Sequence, residues 1–242
     1  MLPRRKMIVI FFVISIGLFA LSYQPSPTSA STDFIFLVDS TEDLPDFAPG
    51  NTVCSVGHDT NGPCTLRAAI TEANLNIKNK PVKILLSPGI YTLTIPGGGT
   101  DTHHNGDLDI YSTPSTNKIT IEPAVVGGEV IIQTAPDFRD RILQIGNANV
   151  SIEGVVFSGA HLEVSPAQFG GAAIHNSGTL ELVGTKFVNN SVSCKPGEDC
   201  KGYVYGGAIE NFGKLSIFDS SFVQNSTDRG GSAIFTNGPS VD

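Results

Sequence analysis

Gly170-Gly171-Ala172-Ala173-Ile174-His175-Asn176, leading into Thr179-Leu180-Glu181-Leu182 and then Phe187-Val188-Asn189-Asn190, decides the fold because the chain repeats it. Gly206-Gly207-Ala208-Ile209-Glu210-Asn211 leads into Lys214-Leu215-Ser216-Ile217 and then Phe222-Val223-Gln224-Asn225. A third copy opens at Gly230-Gly231-Ser232-Ala233-Ile234, and the sequence reaches Asp242 before that copy is complete. A degenerate earlier copy reads Asn149-Val150-Ser151-Ile152, then Phe157-Ser158-Gly159. Self-similarity of this kind marks stacked units, none of which buries its apolar face alone.

Upstream of the repeats the period is two. Val82, Ile84 and Leu86 alternate, Ser87-Pro88-Gly89 turns the chain, and Ile90 to Ile95 follows. Lys118 to Ile121, Glu129 to Gln133, Ile142 to Ile145 and Val150 to Phe157 are further short runs between Gly, Pro, Asn and Ser. Such runs predict an all-β body. A sandwich does not require the same elements to recur in the same order; a parallel β-helix does. Its coils would set Leu180 and Leu182 over Val150 and Ile152, with Leu215 and Ile217 next, and would stack Phe157, Phe187 and Phe222 internally. Asn190 and Asn225 would form an amide ladder. Phe157 to Phe187 spans 30 residues and Phe187 to Phe222 spans 35, with Cys194 and Cys200 inside the longer interval, as for an excursion closed by a disulfide.

Cys64-Thr65-Leu66-Arg67-Ala68-Ala69-Ile70-Thr71-Glu72-Ala73-Asn74 is the one convincing helix, expected over Thr65–Asn79. Leu66, Ala69, Ile70, Ala73 and Ile77 share a face, with Arg67, Thr71, Glu72 and Asn74 elsewhere. Thr65 caps the start, and Pro81 prevents continuation. Laid across the first coil, this helix would cover an otherwise open apolar face and its unpaired strand edges.

The first thirty residues read as a signal peptide. Arg4, Arg5 and Lys6 precede the uncharged apolar run Met7 to Leu21, and Thr28-Ser29-Ala30 supplies small residues for cleavage. The apolar run is short for a spanning helix, which needs about 20 residues. Losing three cations and no acid takes the formal charge from −8 to −11. That balance argues against nucleic acid and anionic lipid as partners. In an exported chain, four cysteines point to disulfides, with Cys54–Cys64 and Cys194–Cys200 the simplest of three pairings. The organisation expected is a signal peptide over 1–30, an N-terminal capping region over 31–80, and β-helix repeats over 81–242 that are incomplete at the end.

The helix segment resembles the CSLREA-type module of exported bacterial surface proteins, and Cys54 matches the extra cysteine often found there. Gly106-Asp107-Leu108-Asp109-Ile110 and Asp140-Arg141-Ile142-Leu143 resemble that family's downstream stretches. The Gly-Gly-Ala-Ile and Phe-x-x-Asn elements are similar to the repeats of polymorphic outer membrane proteins. Thr65 and Ala68 depart from the Ser and Glu of the name motif. The resemblance implies a right-handed parallel β-helix on a secreted or surface-displayed chain, and adhesion or display more than catalysis.

Two charged clusters carry the chemical alternatives. Asp101, His103, His104, Asp107 and Asp109 form the densest set of metal-ligand types. On an alternating strand Asp107 and Asp109 would share a solvated outer face and contribute to a calcium site, which needs six to eight oxygens. Asp137-Phe138-Arg139-Asp140-Arg141 is the second cluster. A polysaccharide lyase would need carboxylates holding calcium and a basic group, and a glycosidase would need two flanking carboxylates. Arg139 or Arg141 with Asp140 supplies part of either set; the bland reading is a salt-linked turn between coils. Gly170, Gly171, Gly206 and Gly207 read as tight coil corners, not as a phosphate cradle. The expectation is therefore a non-catalytic, cofactor-free binding protein of the cell surface, its ligand a cell or a surface glycan. A carbohydrate-active β-helix and a structural wall or sheath component are the alternatives. An open last coil would offer an end-to-end contact.

Overall fold

Alternating apolar residues give each short run one dry face, and short turns rich in Gly, Asn and Ser bring successive dry faces together. The computed structural model describes residues 33–58, 61–75, 80–97, 105–111, 117–166, 168–200, 204–238 and 240–241. The expected signal peptide, Ile77 with the end of the expected helix at Asn79, and the Asp101, His103 and His104 part of the first charged cluster lie outside them.

The described residues open with strand β1 (Phe34–Val38) and helix α1 (Leu66–Leu75). A first circuit follows with β2 (Val82–Leu86), β3 (Gly89–Leu93) and β4 (Leu108–Ile110). The second has β5 (Lys118–Pro123), β6 (Val130–Thr134) and β7 (Leu143–Ile145). The third gains a strand, with β8 (Asn149–Glu153), β9 (Val156–Ser158), β10 (His161–Val164) and β11 (Ile174–Asn176). The fourth repeats it with β12 (Thr179–Val183), β13 (Lys186–Val188), β14 (Ser191–Cys194) and β15 (Ile209–Asn211). The fifth has β16 (Lys214–Phe218), β17 (Ser221–Val223), β18 (Ser226–Thr227) and β19 (Ile234–Thr236), before β20 (Ser240–Val241).

Equivalent strands of successive circuits pair in parallel. Among the described residues they form one sheet ordered β1-β2-β5-β8-β12-β16-β20, two of five strands, and a short one ordered β10-β14-β18. Parallel neighbours need a long connection. Here that connection is the rest of the circuit, not a helix, and strands such as Val82–Leu86 alternate buried and partly exposed, whereas β4, β11 and β15 are buried along their whole length.

The expected columns form in register. Leu180 lies between Val150 and Leu215, and Leu182 between Ile152 and Ile217. Phe157, Phe187 and Phe222 stack with centroids 5.2 and 4.8 Å apart and planes within 8° and 4° of parallel. Asn190 Nδ2 donates to Asn225 Oδ1 at 3.0 Å. A second ladder, Asn176 Nδ2 to Asn211 Oδ1 at 2.6 Å, was not anticipated. The opened third copy also continues the pattern, β19 pairing with β15 and β20 with β16.

Both local disulfides are formed, Cys54–Cys64 and Cys194–Cys200. Corners within the circuits repeat too. Asn189 and Gln224, equivalent to Gly159, all take positive φ between 53 and 67°. Gly206 fits its corner for a second reason: at φ 63° a Cβ there would lie 2.1 Å from the Ile209 carbonyl oxygen.

The N-terminal region differs from expectation in two ways. β1 is not separate from the repeats, since it pairs with β2 as the edge of the longest sheet. Nor does α1 keep a polar face in solvent. It touches β1, β2 and β4, and every residue from Leu66 to Ala73 is buried, Arg67, Thr71 and Glu72 included. The acidic stretch after β1 explains this, because it wraps the helix and satisfies its polar atoms. Asp43 accepts from Arg67 Nε at 2.7 Å and from the Thr94 and Ile95 N–H groups, while Arg67 also donates to the Gly106 carbonyl. The Gly50 and Thr52 N–H groups donate to Glu72. Burial raises the Glu72 pKa above the ordinary carboxylate value, partly offset by those donors. Asp39 takes the Cys64 N–H and Asp46 the Ser55 N–H. Thr65 caps α1, its Oγ1 accepting from Ala68 N–H.

Candidate functional site

The turn from β6 to β7 places Asp137 to Arg141 on the wall of a cleft of about 460 Å³. Phe138 and Leu162 form its buried apolar floor. Glu163 of β10 and Lys195, just beyond β14, line it too. Lys195 is held there by its neighbour's Cys194–Cys200 bond and by its own N–H, which donates to the Val164 carbonyl. The excursion that lengthens the repeat therefore builds one wall of the cleft.

Of the residues singled out from sequence, Arg139, Asp140 and Arg141 converge on this cleft. Arg139 Nε meets Glu163 Oε1 at 3.1 Å, and Asp140 Oδ1 accepts the Arg141 N–H at 2.8 Å. Arg141 reaches three ways: to Gln144 Oε1 at 3.1 Å, to the Phe169 carbonyl at 3.3 Å, and to Asp107 Oδ2 at 3.4 Å. One turn is thus clamped to the circuits on both sides of it, as a salt-linked turn would be.

Asp107 and Asp109 are not on a solvated face. Both are 2% exposed, because α1 and the adjoining chain cover β4. The Asp107 carboxylate meets the Arg141 guanidinium instead of open solvent. Beside Asp109, Asn74 of α1 donates to its carbonyl and accepts from the Tyr111 N–H. Alternation along three residues cannot reveal that a helix lies over the outer side of the strand. Burial and the Asp109 carboxylate together push the Tyr111 phenol far above its ordinary value. Among the described residues, no three His, Cys, Asp or Glu side chains are grouped to hold a metal ion.

Sequence reasoning missed one column of stacked polar side chains. Asp109, Gln144, His175 and Glu210 fall in one column across β4, β7, β11 and β15. The signal was present in the His175-Asn176 and Glu210-Asn211 of the repeat, which the register of the two copies aligns. Phe169 ties this column to the cleft: its carbonyl accepts from Arg141, and its ring stacks on His175 at 5.0 Å.

Compared with family models, curated proteins and solved structures, the chain matches none. Among the described residues no helix is long and apolar enough to cross a membrane.

Proposed function

We propose that this is an exported, secreted or surface-displayed bacterial protein of the CSLREA type, carrying polymorphic outer membrane protein-like repeats, whose side cleft binds a cell-surface glycan. The fold proposed is a right-handed parallel β-helix with α1 as its cap. Circuit-by-circuit parallel pairing supports the helix, and the strong right-handed preference of crossovers between parallel strands supports the hand. The two disulfides are in keeping with an oxidising compartment.

The observation that carries the binding reading is the cleft's composition. Arg139, Lys195, Asp137 and Glu163 place donors and acceptors of both signs around an apolar floor. Polyhydroxylated sugars require that pairing of dry surface with fixed polar groups. Binding is favoured over cleavage because Arg139 and Arg141 are already engaged by Glu163 and Asp107. Neither guanidinium is then available as the basic group of a lyase. The Asp107 carboxylate is likewise spoken for.

The test is titration of purified protein against bacterial and host surface polysaccharides, with Arg139→Ala and Lys195→Ala alongside. Retained glycan binding that weakens about tenfold in each variant is expected, a loss of the size of one charge-assisted hydrogen bond. A protein that binds neither cells nor glycans sinks the reading, and binding indifferent to both variants moves it away from the cleft.

A further inference from the structure

We propose that Ser177, His175 and Glu210 form an acyl-transfer relay beside the cleft, in which Ser177 takes the acyl group of an activated ester. β11 and β15 are in register, so Glu210 lies directly across from His175. Its Oε2 is 3.2 Å from His175 Nδ1, and His175 Nε2 is 3.1 Å from Ser177 Oγ. With the carboxylate as acceptor, Nδ1 carries the ring proton, and Nε2 is left to accept from the Ser177 hydroxyl. Nucleophile, base and orienting carboxylate thus stand in the order that activates a serine, and the arrangement is defined by geometry, not chain position.

Burial separates the roles. The His175 and Glu210 side chains are 6% and 2% exposed, while Ser177 is exposed. Phe169 and Phe212 pack on the imidazole, with centroids 5.0 and 5.7 Å away. The ring is therefore fixed and shielded from water, and only the hydroxyl meets solvent.

In the step, Ser177 Oγ bonds to the ester carbonyl carbon as its proton passes to His175 Nε2. The tetrahedral adduct collapses, the carbon–oxygen bond to the leaving group breaks, and that oxygen takes the proton from Nε2. Water repeats the sequence on the acyl-serine and releases the carboxylic acid. His175 and Ser177 touch the reacting atoms; Glu210 is a positioning residue.

The local backbone sets the limits of the reaction. The Ser177 N–H donates to the Ile145 carbonyl at 2.8 Å, and the Gly178 N–H to Asn176 Oδ1 at 3.0 Å. Both amides that would otherwise stabilise the oxyanion are engaged, and each missing donor costs about 10²–10³ in rate. The relay therefore suits esters with good leaving groups, and the acyl-serine accumulates.

The molecule contains its own comparison. His161 Nδ1 lies 2.8 Å from Ser191 Oγ, but its carboxylate, Glu163, is 3.6 Å from Nε2 and paired with Arg139. Stacked strands can bring a serine to a histidine there without orienting the ring.

The experiment exposes the purified full chain to p-nitrophenyl acetate and maps the modified peptide. About one equivalent of p-nitrophenolate in a burst, with acetyl on Ser177, is expected. Ser177→Ala abolishes the burst, and His175→Gln slows it by about two orders of magnitude or more. Glu210→Gln slows acylation, and Glu210→Asp restores part of the rate, a rescue that a merely structural carboxylate would not give. Ser191→Ala leaves the burst unchanged. The proposal is overturned if Ser177→Ala retains the burst, or if acetyl falls on Ser191 or surface lysines as readily as on Ser177. Ser177 is exposed, so its alanine variant keeps the fold, as circular dichroism will verify.

Discussion

Replacing Phe187 by Ala tests the stacked interior most directly. The ring is fully buried, lies between those of Phe157 and Phe222, and has both as near-parallel neighbours. Truncation removes the transfer free energy of a phenyl ring and leaves a cavity that the rigid neighbouring coils cannot close, a loss of about 3–5 kcal/mol. Phe222 is only partly buried, and its ring stacks on that of Phe187 at the end of the column. Its alanine variant should lose roughly 1–2 kcal/mol, since less area leaves water and one ring pair is broken. Urea unfolding with the disulfides intact measures both, provided the m-value stays constant, because repeat arrays can unfold in parts. Equal losses for the two variants, or a loss under about 1 kcal/mol for Phe187→Ala, would refute the argument that depth in the stack sets the cost.

Two further outcomes follow from the packing around α1 and the first circuit. Arg67→Met should destabilise by about 3–5 kcal/mol, as expected when one partner of a buried pair is removed: both side chains are 2% exposed, and Asp43 would keep its charge without its cation. A change within 1 kcal/mol in urea would show that the pair is dispensable. The Tyr91 phenol, buried and donating to the Ser87 carbonyl, is pushed up to about 12 by burial and by Asp39. The folded state therefore holds this proton where the unfolded chain releases it, so Tyr91 costs stability progressively as pH rises above about 10. Alkaline absorbance titration of wild type and Tyr91→Phe should assign a late phenolate step to Tyr91, and its absence from wild type refutes the shift.

The columns were legible because parallel stacking of repeated strands is written one residue at a time. A parallel register sets Leu180 on Val150 and Phe187 on Phe157, and their spacing in sequence is the length of a circuit. The disulfides were legible for the same reason, each closing a local loop. The burial of Arg67, Glu72, Asp107 and Asp109 was not. Periodicity reports which face of one element is apolar, whereas burial of the other face depends on what the chain later lays over it. Asp43 and Asp46 lie in an acidic, turn-rich stretch with no periodicity to place it, and they bind backbone N–H groups around α1.

By itself, then, the sequence determined the repeating strands, their inward residues and helix α1, since those follow from local periodicity and from identity between copies. Tertiary structure alone decided where charges of different circuits meet. Arg141 found Asp107 across adjacent circuits, and His175 found Glu210 one circuit away while remaining within reach of Ser177. The physical reason is that a closed circuit brings residues about thirty positions apart to within hydrogen-bond distance, and the turns set which of them share a column.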